Sequence, residues 1–526
     1  MKISSSNFLK VLLQVANKFD ADSEQIRNAC LAFAKQHTFK PKELATYHDA
    51  LLFMIAHPNN EKHLRSCEQE LQRIARLLRD SKETTKSALE NSGLPHTTIV
   101  TKFSHDLLYW LVQQKEYQLQ FTYHTKNNEL LSQILRQTLP SAERELCNVG
   151  YTNQELLDVL HIKSEQEAAF FAEQFHTLEH NVQSKDFLFD LLEPELAVSS
   201  KQSAFSRSYN RFLKSPYFFH QEILKRFDHQ ALLNTAVPPA TVFSADEKKQ
   251  LIKSIKDSLT LMARETDPAT YLDENALFYY QLERGIAIAI YGMRPNRQMS
   301  FESYVGYTLF KNGFPAAYGG SWVFGQRALF GMNIFESFRG GESGYMMCQL
   351  LRVYRQAFGI RAVEVEPYQF GKDNPDGIAS GAFWFYYRYG FRPLDKKLNI
   401  LAAAEHKKIS TQKGYFSSYK TLEKFTESYI SLDFEPCKQI TVPEWAELIT
   451  SYIAKKHTGN RTKAMQTALK DFQMPGATDN AIQDYALLAA ALGITEGGRL
   501  AVLQKAARTK SKSLFEYQQT LLEFFA

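Results

Sequence analysis

Between an apolar run, ALFGMNIF, and a helix-periodic segment stand Arg339, Gly340, Gly341, Glu342, Ser343 and Gly344. Met347, Leu350, Leu351, Tyr354 and Phe358 recur at helical spacing, and Gly359 sits where a C-cap glycine belongs. A strand that enters a helix through small residues leaves the first N–H groups of that helix unpaired, with the positive end of the helix dipole behind them. Such a bend is an anion site, most often for phosphate. The alternative is a tight turn whose glycines only permit positive φ. Carboxylates flank the bend. Glu336 lies just past the opening strand, while Glu364 and Glu366 share one face of the strand in IRAVEVEPYQF, which Pro367 ends. The C-terminal edge of a strand is where α/β sites gather, which makes Glu366 the first candidate base and Glu336 its competitor. Either could instead only pair with a neighbouring cation. In RETDP, Asp267 could position an amine or cap a helix.

Strand, loop, helix and strand over this short distance make a parallel βαβ unit. Downstream, ASGAFWFYYRYGFRP reads as an aromatic helix stopped at Gly390. Together these stretches resemble the GNAT superfamily of acyl-CoA N-acyltransferases, from about Gly285 to about Pro393. That family's pyrophosphate loop reads [QR]-x-x-G-x-[GA], and a later helix commonly reads N-x-x-A-x-x-x-Y-x-x-x-G-F. Arg339 and Gly344 match the ends of the loop motif, and Ala382, Tyr386, Gly390 and Phe391 match the helix motif in register. Glu342 departs from the loop's middle glycine, and Ala379 from the helix motif's Asn. A carboxylate there repels phosphate unless it turns away or pairs with a cation such as Arg339. The resemblance implies acetyl-CoA or a longer acyl-CoA as donor, held by Asn333, Phe335, Arg339, Gly340, Gly341, Ser343 and Gly344. It also implies Tyr386 as the acid for the departing thiolate, and no metal. In the run Phe383 to Tyr387, Tyr386 could equally be core.

The elements that must position these residues follow from patterning. The expected fold is α+β, a GNAT-like mixed sheet in which an antiparallel meander feeds the βαβ unit, flanked by helical N- and C-terminal regions. Residues 1–92 read as a helical domain of stacked hairpins, and 93–280 as a mostly helical linker or substrate domain. The GNAT-like domain spans 281–395, and 396–526 is a helical C-terminal region. Within the meander, GIAIAIYGM, SYVGYTLFKNG and FPAAYGGSWVFG are strands, with Asn312–Gly313 and Gly319–Gly320 marking turns or bulges. YNRFLKSPYFFHQEILKRF, residues 209–227, reads as an amphipathic helix on each side of Pro216.

With 526 residues, 44% hydrophobic and 23% charged, the chain is globular and long enough for about three domains. Its net charge of +5 is dispersed and does not call for nucleic acid. The basic run KAARTKSKS, 505–513, reads as a solvated helix end. Five widely spaced cysteines suggest a reducing compartment. With no apolar stretch long enough for a bilayer and no signal-peptide core, the expected location is cytoplasmic. The implied acceptor is a small-molecule or protein amine, and an acyl-carrier protein could serve as donor. A GNAT-like domain that has lost donor chemistry and acts as a binding protein is the competing expectation.

Overall fold

The computed structural model describes residues 3–4, 7–123, 127, 129–437 and 440–526. Apolar residues at three- and four-residue intervals produce the N-terminal helices Phe8–Val15, Ala21–Ala34, Pro41–Ala56 and Glu61–Arg79. Pro41 begins the third and Asn60 caps the fourth, accepting from the His63 N–H at 2.8 Å. These helices share one core with the central sheet, so they cover it as a layer.

The middle region is not purely helical. β1 (Ile99–Thr101), β2 (Gln118–Tyr123) and β3 (Pro194–Ser199) form an antiparallel sheet in the order β1-β3-β2. Helices such as His105–Val112 and Glu167–His176 pack on it around a separate core that includes Phe121, Phe171, Phe175 and Phe189.

Among the described residues the central sheet is mixed and nine-stranded. β4 (Leu272–Gln281), β5 (Ile286–Met293), β6 (Ser303–Lys311), β7 (Phe314–Phe324) and β8 (Arg327–Phe330) run as an antiparallel meander. β9 (Asn333–Ile334) pairs with β7, and the helix Ser343–Phe358 then leads to β10 (Ala362–Val365), parallel to β8. β11 (Arg392–Pro393) lies at the edge, and β12 (Ile430–Asp433) is inserted between it and β10. The sheet therefore reaches beyond 281–395 in both directions.

Asn312 and Gly313 both have positive φ, 44° and 84°, as a two-residue hairpin joining right-twisted strands requires. Gly319 and Gly320 make no turn. They lie inside β7, where a Cβ on Gly319 would stand 2.5 Å from the Gly331 carbonyl and one on Gly320 2.4 Å from the Tyr304 ring. The register shift falls at Leu309/Phe310 instead.

The expected helices either side of Pro216 are absent, and the segment is irregular. Its backbone groups bond outward to other parts of the chain. Phe212 N–H donates to Gly313, Phe218 N–H to the Asn312 side chain, His220 N–H to Pro58 and Leu224 N–H to Glu342. Tertiary partners outcompete the local ladder here.

Helices return after β12, among them Val442–His457, Asn480–Ala491 and Leu514–Phe525, with a core built on Trp445, Tyr485 and Tyr517. Lys510, in the run expected to be solvated, is buried and donates to the Glu302 carbonyl at 2.8 Å. No helix of the described residues is long and apolar enough to cross a membrane.

Candidate functional site

The parallel seam between β8 and β10 is short. Arg327, Ala328 and Leu329 face Ala362, Val363 and Glu364, and then the strands part. β9 turns to β7, pairing Ile334 with Ala317 and Asn333 with Tyr318. The result is a fork with Gly331 to Ile334 on one arm and Val365–Glu366 on the other. Tyr307 reaches its floor from β6 and donates its hydroxyl to the Gly331 carbonyl at 3.0 Å. Tyr386, on the helix Ala382–Arg388, comes close enough to Tyr307 to disfavour ionisation of that phenol, although burial and then Tyr354 do so more strongly. Burial likewise pushes the Tyr386 phenol well up, so its hydroxyl keeps its proton across the physiological range. On the other arm Glu366 is half-buried, and its charge acts on Tyr304, which stacks on Trp322 at 3.9 Å.

Above the fork is the bend. Phe335 and Phe338 are buried, and Ser337 between them meets Arg207 and Asp49. Gly340 has φ +80° with open space where a side chain would be, whereas a Cβ on Gly341 would sit 3.0 Å from His57 Nε2. The helix Ser343–Phe358 has no side-chain cap, which leaves its first N–H groups for a ligand or water. Gly344 is tighter: a Cβ there would lie 1.7 Å from the Tyr389 hydroxyl, so that hydroxyl occupies its bare face.

Glu342 is turned inward and buried. Its Oε2 accepts from Lys311 Nζ at 2.7 Å, its Oε1 from Arg284 Nε and the Leu224 N–H, each at 2.9 Å, and His220 Nε2 stands 3.7 Å away. Burial alone would raise this carboxyl's pKa, yet His220, Lys311 and Arg284 hold it well below the usual range. Burial lowers Lys311 to about 8 against the pull of Glu342, and drives His220 down to about 4. His57, also buried, is pushed well below its ordinary value by desolvation and then by Lys311. The cation that sequence offered to Glu342 was Arg339; the structure supplies Lys311 and Arg284 instead. His57, His220 and Glu342 have ligand atoms within 4.8 Å of one another, the spacing of a metal site. Both carboxylate oxygens are already committed to cationic side chains, so a further cation would have to displace them.

Arg339 is two-thirds exposed; it donates to the Ile334 carbonyl at 3.3 Å and lies 3.4 Å from Glu336. Glu336 also accepts from Arg264 at 2.8 Å. Burial pulls its pKa up, but Arg264 and Arg339 prevail and lower it, which makes it a weaker base. Asn333 is exposed on β9, and Phe335 packs on Tyr318 at 4.9 Å. Tyr386 thus lies near Tyr307 and Glu366 near Tyr304, on opposite faces of β6, while Asn333, Glu336 and Arg339 are on the outer surface. Lys311, Arg284, His57, Tyr307 and Tyr389 had no sequence signal, and His220 stood out only as the centre of the basic and aromatic stretch 209–227. A single Lys after Phe310 and before Asn–Gly reads as hairpin polarity, and nothing local ties it to Glu342. No protein-family model, curated protein or solved structure matches this chain.

Proposed function

We propose that the fork and bend form the donor site of a GNAT-like, acyl-CoA-dependent N-acyltransferase. The observation that carries this reading is the divergence of β8 and β10 beside an uncapped 16-residue helix. Diverging parallel strands turn backbone donors and acceptors toward a gap that an extended amide-bearing arm can fill. The bend supplies N–H groups and a helix dipole for the phosphates at the end of that arm. The sequence-level objection, a carboxylate in the phosphate loop, is weakened because Glu342 faces inward and is neutralised.

In the reaction, Glu366 or water takes a proton from the acceptor ammonium. The freed amine nitrogen attacks the thioester carbonyl carbon, the C–S bond breaks, and the sulfur takes the Tyr386 proton. Tyr386 is then reprotonated from solvent, and the products are an amide and free CoA. Acetyl-CoA at about a hundredfold excess over its dissociation constant should stabilise the protein by roughly 2.7 kcal/mol in a thermal or urea titration. Tyr386→Phe should keep that stabilisation while lowering turnover by about a hundredfold or more. Full turnover in the Phe variant would remove Tyr386 from the mechanism.

A second reading, a binding protein without donor chemistry, is favoured by the Tyr389 hydroxyl over Gly344. Absence of any stabilisation by acetyl-CoA, by a long-chain acyl-CoA or by an acylated carrier protein would leave that reading in place.

A further inference from the structure

A cavity of about 480 Å³, within the size range of small-ligand sites, lies between the sheet and the first turn of the helix Val442–His457. It occupies the sheet face opposite the helix Ser343–Phe358. Tyr354 of that helix packs on Tyr307 and Phe330, whereas Leu329, the next residue along and therefore on the other face, lines the cavity. Trp322, Phe324 and Leu329 make the apolar floor, and Ile440 and Val442 face it. Leu394 and Tyr429, each about two-fifths exposed, give it an apolar mouth.

Two features tie this cavity to the fork. Leu329 and Glu364 both line it, and they are also the last paired residues before β8 and β10 diverge. A thioester whose phosphates sit at the bend and whose arm follows Asn333 back to Gly331 ends at that point. Among the described residues, the charged lining is two carboxylates, Glu302 and Glu364, against one guanidinium, Arg327. Glu364 Oε1 forms an ion pair with the Arg327 guanidinium in the cavity wall. With carboxylates outnumbering the guanidinium, the lining favours a cationic ligand.

We propose that this cavity binds a primary amine with an aromatic or branched apolar body, its nitrogen at Glu364 and its body against Trp322 and Phe324. Its role as the acceptor site rests on the acyltransferase reading above. The amine then approaches the thioester from the cavity side while Tyr386 meets the sulfur from the helix side. Glu364 or Glu366 takes the ammonium proton, nitrogen bonds to the carbonyl carbon, and the C–S pair leaves with the Tyr386 proton.

The test uses the full chain and a charge series of one shape: tryptamine, the neutral tryptophol and the anionic indole-3-acetate, each titrated by calorimetry. Tryptamine should bind at least tenfold more tightly than tryptophol, with indole-3-acetate weakest. Glu364→Gln should bring the tryptamine-to-tryptophol ratio close to one. Val442→Trp, at a partly exposed position of the rim, should abolish binding of all three by filling the cavity. Equal binding across the series, or a ratio that survives Glu364→Gln, overturns the proposal. So does a lauroyl-CoA affinity well above that of acetyl-CoA that Val442→Trp reduces to the acetyl-CoA level, since the cavity would then hold the acyl chain. Acetyl-CoA is titrated separately on the unmodified protein. If tryptamine passes every test and neither acetyl-CoA, a long-chain acyl-CoA nor an acylated carrier protein binds, the amine site stands and the acyltransferase reading falls.

Discussion

On the inner side of the glycine bend, Glu342 meets Lys311, Arg284 and His220 away from water; on the outer side, Glu336 meets Arg264 and Arg339 within its reach. The side chains of Glu342 and Lys311 have no exposure, while those of Glu336 and Arg339 are 41% and 66% exposed. The chemistry of the partners is similar, and the surroundings separate their roles. An ion pair in low dielectric cannot lose one member cheaply, so the inner cluster holds the bend to its neighbours. An exposed pair exchanges partners at little cost, so the outer cations can turn to an arriving anion.

The largest effect expected from this contrast is on the inner side. Glu342→Ala leaves Lys311 and Arg284 facing each other without a counter-ion and should destabilise the fold by about 3–5 kcal/mol, read as a lowered urea midpoint. A loss below about 1 kcal/mol would mean that water reaches the cluster and that the two sides do not differ as described.

Acid should probe the same side. His220 titrates at about 4 in the folded chain and near its ordinary 6.5 when unfolded, so the unfolded state binds more protons between those values. Stability is therefore full above about pH 6.5 and falls as pH is lowered toward 4, by up to about 3 kcal/mol from this group. His57, also depressed, acts in the same direction. Urea midpoints taken from pH 7 to pH 4.5 should drop, and drop less in His220→Phe. A flat profile would show that these imidazoles are not held neutral.

The smallest effect belongs to the outer side. Arg339→Ala should change stability by less than about 0.5 kcal/mol while weakening acetyl-CoA binding by about tenfold at low salt, and by less as salt screens the contact. A stability loss approaching that of Glu342→Ala would erase the distinction.

What could be read in the sequence follows from how local its causes are. The strands of the meander are marked by runs such as IAIAIYGM, and the Asn312–Gly313 hairpin by residues that tolerate positive φ. The helix after the bend shows its own spacing and its C-cap, Gly359, in the left-handed region. By contrast, the 209–227 segment was unreadable because its hydrogen bonds run to Pro58, Asn312, Gly313 and Glu342. The same holds for β12, four residues among helices that are a strand only because β10 and β11 accept it as a partner. The site divides likewise: Tyr386 and the glycines sit in local motifs, while the Lys311–Glu342 pair joins residues 31 apart with no periodic sign.

Asn312 has a consequence for how the chain is made. Its side-chain amide donates to the Ala56 carbonyl at 3.0 Å, closing a contact across 256 residues. At about 5–20 residues per second, a ribosome needs on the order of 10–50 s to travel that far. Through that interval Leu51, Leu52, Met54 and Ile55, all buried in the finished protein, have no sheet to lie against. The amino-terminal layer is thus synthesised first but cannot close on the sheet until residue 312 has been made, and until then its apolar face is open to a holding chaperone.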